Sequence, residues 1–286
     1  MGAVLQRLKS VVRMVCPPIL LPMITSAYHG ATGRAGFSDF LPSWQRAIEV
    51  AGSAGGGYDQ ARILERVEHS TREVLSGNAV FERDSVLFAA ADYQFPLLAC
   101  LLRVAASNNG RLAVLDFGGA LGSTFHQCRP FLYGLNAVDW RVVEQSHFVA
   151  SGKREFTTPE LRFFDSIAEC CADGAPNVAL FSGVLQYLED PAGQVAEACL
   201  RGVGVIIVDR TPVHEGLDDR YSVQTVPPSI YAASLPIRVF GRAAIAGLVD
   251  PSFRQIASFS AVDETAMIDG VAVAFKGYFF ERQKSK

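Results

Sequence analysis

The order of apolar and polar residues changes near residue 107. Before this position, apolar residues recur at helical spacing, which predicts helices over residues 58–75 and 84–107, the second capped by Asp84 or Ser85. After it, short runs rich in apolar and β-branched residues alternate with helical segments. These runs predict strands over residues 111–117, 139–144, 161–164, 177–182, 202–208, 237–240, 253–259 and 271–282.

The alternation of strands and helices favours one fold class. Helical segments over 123–132, 192–201 and 243–248 lie between predicted strands, which is typical of a doubly wound, mostly parallel sheet. The last two strands have no helix between them and therefore predict an antiparallel edge strand. We predict a Rossmann-like α/β domain over 108–286, preceded by a mostly helical extension or cap over 1–107.

Composition narrows the class of function. The chain has 286 residues, 49% of them hydrophobic, and a formal net charge of -3. A folded globular protein is therefore expected, with no electrostatic reason to expect nucleic acid as a partner. The six cysteines show no C-x-x-C spacing and the five histidines show no metal-ligand pattern, so we predict no metal site. Scattered cysteines favour reduced thiols and a cytoplasmic location.

The amino terminus combines basic residues with an apolar run over 15–24. Prolines interrupt this run, and it is too short to span a bilayer. We predict an amphipathic helix over roughly residues 3–14. Two roles stay open for it, because such helices either pack on the protein or lie on a membrane surface.

The most specific motif is the segment Val-Leu-Asp-Phe-Gly-Gly-Ala-Leu-Gly that ends the first predicted strand. Gly118, Gly119 and Gly122 let a ligand approach the backbone, but they do not fit the G-x-G-x-x-G spacing of dinucleotide sites. Asp116 and Phe117 lie just before the glycines, and a carboxylate suits a cationic ligand better than a pyrophosphate. S-adenosylmethionine carries a sulfonium and an ammonium. The alternative is an ordinary strand-to-helix turn.

Polar residues follow the other predicted strands. Glu144 closes the second strand, where a carboxylate can accept hydrogen bonds from both hydroxyls of a ribose, and Gln145 follows it. Asp165 follows the third strand, where its side chain can accept a hydrogen bond from the amino group of adenine. Ser182 and Gly183 follow the fourth strand, beside the glycine loop. Taken singly, each carboxylate is also consistent with a solvated strand end.

Together these residues resemble class I S-adenosylmethionine-dependent methyltransferases. The resemblance covers about residues 111–282 and rests on the glycine loop, the acidic end of the second strand and the block after the fourth strand. It departs where Gln186 and Tyr187 replace a histidine pair and where Gly119-Ala120 replaces the more common x-Gly. The resemblance implies S-adenosylmethionine as cofactor and S-adenosylhomocysteine as product, but it does not carry over the chemistry of a base.

A second resemblance spans nearly the whole chain. It is to a poorly characterised bacterial group of methyltransferases that is often associated with surface-polysaccharide genes. It implies O-methyl transfer to a sugar or glycan precursor. The segments that carry this resemblance are Trp44, 57–59, 81–86, 209–212, 224–228 and Tyr231.

Methyl transfer to a hydroxyl benefits from a general base. His214 follows the fifth predicted strand and has a side chain suited to proton transfer near neutral pH, although it is equally consistent with a surface loop. Asp209 and Tyr187 are the other catalytic candidates. Residues 81–84 precede the predicted helix and are candidates to close over the cofactor.

The long connection over 215–236 is the candidate cover of the acceptor site. It carries Tyr221, Gln224 and Tyr231, and tyrosine rings can stack on a sugar. Asp209 and Arg210 are placed to orient the acceptor or to pair with each other on the surface. The alternative for the connection is a structural loop braced by prolines.

The resulting hypothesis is an S-adenosylmethionine-dependent methyltransferase that O-methylates a small polar acceptor, a sugar or glycan precursor. A catalytically silent protein that binds the cofactor or a partner in glycan synthesis is the alternative, because the histidine pair is missing. The glycine spacing disfavours a nicotinamide oxidoreductase.

Overall fold

A computed structural model of the chain describes residues 36–53, 60–88, 90–226, 233–263 and 265–283. The helix predicted over 3–14 and the candidate residue Tyr231 lie outside these residues. The predicted domain boundary stays a prediction.

The elements of the described residues follow the predicted order after residue 107. The strands are β1 (Gly36–Phe37), β2 (Phe81–Arg83), β3 (Val86–Phe88), β4 (Arg111–Phe117), β5 (Ala137–Val143), β6 (Leu161–Phe164), β7 (Val178–Ser182), β8 (Val205–His214), β9 (Arg220–Val226), β10 (Ala233–Gly241), β11 (Phe253–Ser260), β12 (Ala266–Ile268) and β13 (Val271–Arg282). The α-helices are α1 (Trp44–Ser53), α2 (Gln60–Leu75), α3 (Phe95–Ser107), α4 (Ser123–Cys128), α5 (Ser146–Ser151), α6 (Ile167–Cys170), α7 (Pro191–Leu200) and α8 (Arg242–Ala246).

The main sheet is mostly parallel, which confirms the predicted fold class. Strands β6, β5, β4, β7 and β8 lie side by side in this order and are all parallel. Antiparallel pairing occurs at the β8 edge, as predicted. The antiparallel strand is β13, which lies between β8 and the outermost strand β11.

Both faces of the central strands β4, β7 and β8 are covered, so most of their residues are buried. On one face of β4, Leu112 and Val114 pack into one hydrophobic cluster. On the other face, Leu115 packs into a second cluster together with Phe181. In the sheet, β5 lies on one side of β4 and β7 lies on the other, so the strand order reverses direction at β4. Such a reversal opens a crevice at the carboxyl ends of the strands, where open α/β sheets bind ligands.

The region before β4 differs from the prediction. Residues 84–107 do not form one helix, because β2 and β3 form an antiparallel hairpin and helix α3 begins only at Phe95. Asp84 and Ser85 form the hairpin turn with φ values of 51° and 65°, and they do not cap a helix. Two central turn residues with positive φ match the right-handed twist of the strands, so this short turn prevails over helical propensity.

The connection over 215–236 also differs from the prediction. Residues 220–226 and 233–236 of it belong to β9 and the start of β10, which pair antiparallel from Ala233↔Val226 to Val239↔Arg220. The alternation of β-branched and polar residues explains these strands. Strand β8 continues to His214, beyond the predicted end at residue 208.

Within the described part of the chain, no helix has both the length and the apolar character needed to cross a membrane.

Candidate active site at the carboxyl edge of the sheet

A cavity of about 780 Å³ lies at the carboxyl ends of β4, β5 and β7. This volume is in the usual range for small-molecule sites, roughly 300–1,000 Å³. We call the part lined by Gly118, Gly119 and Glu144 the glycine-loop end, and the part lined by Glu82, Arg210 and Gln224 the hairpin end. Helices α1 and α2 contribute further lining residues, which are Ile48, Ala51, Gly52, Ile63 and Val67.

The glycine loop needs its glycines for steric reasons. Gly118 has a φ of +73°, and a Cβ atom there would lie 2.5 Å from Val184 Cγ2. A Cβ atom at Gly119 would lie 2.5 Å from Asp116 Oδ2. A side chain at either position would therefore clash, and the bare backbone of Gly118 and Gly119 lines the cavity.

Asp116 supports this loop from below. Its Oδ2 atom accepts a hydrogen bond from Trp140 Nε1 at 2.8 Å, and its side chain is buried. Burial raises the pKa of Asp116 to about 7, against the hydrogen bond from Trp140, and the nearby negative charge of Glu144 raises it further. Asp116 thus contributes a carboxylate that gains or loses its proton near neutral pH.

Glu144 and Gln145 line the cavity beside the glycine loop. The backbone amide of Gln145 donates a hydrogen bond to Glu144 Oε2 at 2.7 Å. Burial raises the pKa of Glu144, while hydrogen bonds from the amides of Gln145 and Ala120 oppose this change. The carboxylate is held in place and partly desolvated, which suits an acceptor of ligand hydroxyl groups.

Ser182 and Gly183 form the adjacent part of the crevice, and Asp209 lies beneath them. Ser182 Oγ donates a hydrogen bond to Asp209 Oδ2 at 3.3 Å, and the Gly183 amide donates to the Asp209 carbonyl at 2.9 Å. Burial raises the pKa of Asp209 to about 6, against the positive charge of Arg210. Of the described residues, those that line the cavity include Ser182 and Gly183 but not Asp209. Asp209 is therefore placed to position this loop.

Arg210 joins three separate segments at the hairpin end. Its guanidinium donates to both carboxylate oxygens of Asp263, at 2.9 Å each, and to Asp84 Oδ1 at 3.1 Å. Arg210 itself has a φ of 51°, an unfavourable value for a residue with a side chain. The backbone bends there, because β8 pairs with β7 up to Asp209 and with β10 only from Val213.

The charge of Arg210 is neutralised within the protein. Burial would lower its pKa, but the charges of Asp84 and Asp263 raise it well above the ordinary value. Arg210 in turn lowers the pKa of the Asp84 carboxyl group, whose side chain is largely exposed. Because carboxylates occupy both hydrogen-bonding edges of the guanidinium, Arg210 is poorly suited to bind an anionic acceptor.

The remaining wall of the hairpin end comes from the β9–β10 pair and the turn after β7. Tyr187 lies on a 3-10 helix and donates its hydroxyl hydrogen to Gln224 Oε1 at 2.6 Å. The other lining residues of this wall are Val226, Ser234, Leu235 and Pro236. This wall combines apolar surface with hydroxyl and amide groups.

The structure places His214 away from the cavity. Its Nδ1 atom accepts a hydrogen bond from the Gly216 amide at 3.0 Å, so Nε2 carries the proton and donates to the Asp218 carbonyl at 2.8 Å. The side chain is buried, and both ring nitrogens are occupied by backbone groups. The prediction failed to account for the length of β8, which carries His214 beyond the crevice.

Other predicted site residues also lie outside the lining of the cavity. The ring of Tyr221 packs edge-on against Trp44, with centroids 6.2 Å apart. Asp165 forms an ion pair with Lys153 at 3.6 Å, and its side chain is exposed. In these cases, the prediction gave the correct strand end or segment but not the direction of the side chain.

Two residues of the glycine segment act structurally. Gly122 has a φ of +90° at the start of α4, where a Cβ atom would lie 2.8 Å from Leu161. Phe117 packs against Phe181, with ring centroids 5.5 Å apart. Neither is among the described residues that line the cavity.

Sequence reasoning named residues 81–84 as candidates to close over the cofactor but did not single out Glu82, and it missed the contribution of α1 and α2. Glu82 is a buried acidic residue on β2 that lines the cavity. The sequence signal for Glu82 was its place in the 81–84 candidate segment, but no local pattern indicated that its side chain is buried in the cavity wall.

Comparisons with known proteins add limited information. No protein-family model matches the chain. No curated protein matches it either. Among solved structures, the N-terminal domain of EvdMO1, crystallised with S-adenosylhomocysteine and D-fucose, is 17% identical with a TM-score of 0.42 and covers 79% of this chain and 97% of its own.

Two further structures are methyltransferases by name. The 1,6-didemethyltoxoflavin-N1-methyltransferase of Burkholderia thailandensis, with its substrate and S-adenosylhomocysteine bound, is 14% identical with a TM-score of 0.38 over 80% of this chain and 91% of its own. The glycopeptide N-methyltransferase MtfA, complexed with S-adenosylmethionine, is 14% identical with a TM-score of 0.41 over 64% of this chain and 92% of its own. At these low identities and TM-scores, the comparisons assign no function to this chain.

Proposed function

We propose that the cavity binds S-adenosylmethionine and that the protein transfers its methyl group to a small polar acceptor, a hydroxyl of a sugar or glycan precursor. The observation that carries this proposal is the glycine-loop end. There, bare backbone at Gly118 and Gly119 lies beside the carboxylates of Asp116 and Glu144, at the switch point of a parallel sheet.

The charge of the cavity fits a cationic cofactor. The carboxylates in its lining outnumber the cations, which are Arg83 and Arg210, and both arginines already pair with carboxylates. A pyrophosphate would be repelled there, whereas a sulfonium and an ammonium would be stabilised. The lining carboxylates are Glu82, Asp84, Asp116, Glu144 and Asp263.

Each part of the cofactor has a candidate partner. Backbone at Gly118 and Gly119 would face the amino-acid portion, and Glu144 would accept hydrogen bonds from the ribose hydroxyls. Gln145 and Phe148 would contact the base, because both line the cavity next to Glu144. When bound, the cofactor supplies a methyl group on a sulfur that is already an activated leaving group.

The protein's own contribution is mainly positioning, which can lower such a barrier substantially. Tyr187, Gln224 and Ser234 offer hydroxyl and amide groups at the hairpin end, and Pro236 offers an apolar surface. A neutral polyol matches this combination better than a phosphate or carboxylate does. Helices α1 and α2 would exclude water from the other side of the cavity.

Calorimetry tests the cofactor directly. We expect S-adenosylhomocysteine to bind and NAD not to bind. Replacing Glu144 by Ala should weaken binding of S-adenosylhomocysteine by roughly 1.5–3 kcal/mol, the usual range for hydrogen bonds to a charged group. Glu160→Ala, at a half-exposed residue that pairs with Arg129 and does not belong to the described lining of the cavity, is the matched control and should bind normally. Preferential binding of NAD would refute the proposal, and unchanged affinity of Glu144→Ala would remove this residue from the site.

Activity is tested by transfer of labelled methyl groups to a panel of methyl glycosides and amino sugars. Turnover of a glycoside supports the sugar acceptor. Binding of S-adenosylhomocysteine without turnover across the panel supports a catalytically silent protein. This alternative is considered because Gln186 and Tyr187 replace a histidine pair. A cytoplasmic location, a role in polysaccharide biosynthesis and membrane contact of residues 3–14 stay predictions.

A further inference from the structure

Glu82 is a buried acidic residue whose hydrogen bonding is incomplete. Its side chain lines the cavity, yet the residue is only 5% exposed. The Ser85 amide donates to Oε2 at 3.3 Å, whereas Oε1 is buried and accepts no hydrogen bond from the described residues. A buried carboxylate oxygen without a partner is destabilising, and native structures retain few of them.

The position of Glu82 is fixed by its backbone. Gln127 Nε2, on α4, donates a hydrogen bond to the Glu82 carbonyl at 2.6 Å, which ties β2 to the helix that follows the glycine loop. On the other side, Asp84 of the same hairpin is paired with Arg210. Glu82 therefore lies between the glycine-loop end and the ionic cluster of the hairpin end.

The groups that face Glu82 shift its pKa in opposite directions. Burial raises the pKa of Glu82, and the negative charge of Asp84 acts in the same direction. The Ser123 hydroxyl, the Ser85 amide and the charge of Arg210 lower it. A carboxylate with a raised pKa is a better proton acceptor than an exposed one.

Other candidate bases are less suitable. Both nitrogens of His214 are occupied by backbone groups, and Asp209 does not belong to the described lining of the cavity. Asp84 and Asp263 are paired with Arg210. Glu82 combines contact with the cavity, a fixed position and an oxygen with unused capacity to accept a hydrogen bond.

We propose that Glu82 is the catalytic residue that accepts the proton of the acceptor hydroxyl, an inference that rests on the proposed methyl transfer. The acceptor oxygen forms a bond to the methyl carbon as the bond from that carbon to sulfur breaks. The electron pair of the broken bond stays on sulfur, and the hydroxyl proton passes to Glu82 Oε1. The protonated carboxyl group then releases the proton to water.

Glu82→Gln tests this role, because it keeps the shape and removes the basic oxygen. With a panel glycoside that the wild type methylates, we expect kcat to fall by at least about 100-fold, the lower range for general-base catalysis. The Kd for S-adenosylhomocysteine should stay within about threefold of wild type, and Glu82→Asp should recover part of the rate. Glu160→Gln is the control. A kcat for Glu82→Gln within about threefold of wild type would overturn the proposal.

A second measurement does not depend on an acceptor. If Oε1 lacks a partner because it serves catalysis, the ionised Glu82 side chain destabilises the free protein. Glu82→Gln should then melt at a higher temperature than wild type at pH 7. The raised pKa means that the stability contributed by protonated Glu82 is present at low pH and is lost as the pH rises, so the difference should shrink toward pH 4. A structural role predicts the reverse, and a lower melting temperature of Glu82→Gln at pH 7 would overturn the proposal.

The two proposals fail in different ways. A wild-type protein that does not bind S-adenosylhomocysteine refutes the proposed function. Normal binding and turnover in both the wild type and Glu82→Gln refute only the role of Glu82. If the wild type binds the cofactor without turnover, the melting comparison decides whether Glu82 is held for a function or for the fold.

Discussion

The two ends of the cavity are built in different ways. At the glycine-loop end, the main groups lie at the ends of parallel strands, and Asp116 accepts a hydrogen bond from Trp140 on the adjacent strand. At the hairpin end, Arg210 holds Asp84, which is 126 residues away in sequence, and Asp263, which is 53 away. One end depends on local geometry and the other on long-range ion pairs.

This difference has a functional consequence. A parallel sheet fixes its strand ends rigidly, which suits recognition of a constant cofactor. The sequence of a hairpin that is held by ion pairs can vary without disturbing the sheet. Such a hairpin suits recognition of a particular acceptor. We therefore expect substitutions at the glycine-loop end to affect folding and cofactor affinity, and substitutions at the hairpin end to affect mainly the acceptor.

The largest effect is expected from the pH dependence of Asp116. Its pKa is about 7 in the folded protein and 3.8 in its ordinary state. The stability that Asp116 contributes is therefore fully present below about pH 4 and is lost as the pH rises to 7. Relative to wild type, Asp116→Asn should gain up to about 1.4 kcal/mol of unfolding free energy per pH unit in this window. Urea unfolding at several pH values measures this gain.

The comparison with wild type removes other titrations from this measurement. Burial lowers the pKa of His126 to about 4, so its contribution changes with pH in the opposite sense but is common to both proteins. The pKa of Asp209 is about 6, so its contribution to stability is present at low pH and is lost as the pH rises through 6, in both proteins alike. A difference between Asp116→Asn and wild type that stays constant from pH 6 to 7 would contradict the burial of a titrating Asp116.

The next effect concerns the glycine loop itself. Gly119→Ala places a Cβ atom against the buried Asp116 carboxylate, which the hydrogen bond from Trp140 holds in place. The unfolding free energy should fall by about 1–3 kcal/mol, as for other overpacked sites, and binding of S-adenosylhomocysteine should weaken as the loop shifts. Gly134→Ala is the control, because no heavy atom lies within 4 Å of its added Cβ. Equal stability and affinity of the two variants would show that the loop is not tightly packed.

The smallest effect is expected at the hairpin end. Double-mutant cycles with Arg210→Gln should give a coupling of about 1 kcal/mol with Asp263→Asn and about 0.5 kcal/mol with Asp84→Asn. The reason is exposure, since the Asp263 side chain is 21% exposed and that of Asp84 is 59% exposed. Added salt should weaken the Asp84 coupling more. A larger coupling with Asp84 would indicate that the hairpin closes more tightly on Arg210 in solution.

Sequence reasoning succeeded where the signal was local. The boundaries of β4 and β6 were predicted to the residue, because each strand is a short apolar run that ends at a turn or polar residue. It was wrong for 84–94, where a two-residue turn redirected the chain before the helix over 95–107, and for the region after 208, where β8 continues to His214. The predicted base lies outside the cavity because the length of a strand depends on its neighbours.

By itself, the sequence determined the α/β fold, the glycine loop and the carboxylates at the ends of β4 and β5, because apolar periodicity and backbone sterics act over a few residues. Only the tertiary structure decided which side chains share the cavity. Glu82 and Arg210 come from distant segments, and their proximity depends on how β2, α4 and β8 pack. Burial, ion pairing and unused hydrogen-bonding capacity are properties of that packing, so no local pattern contains them.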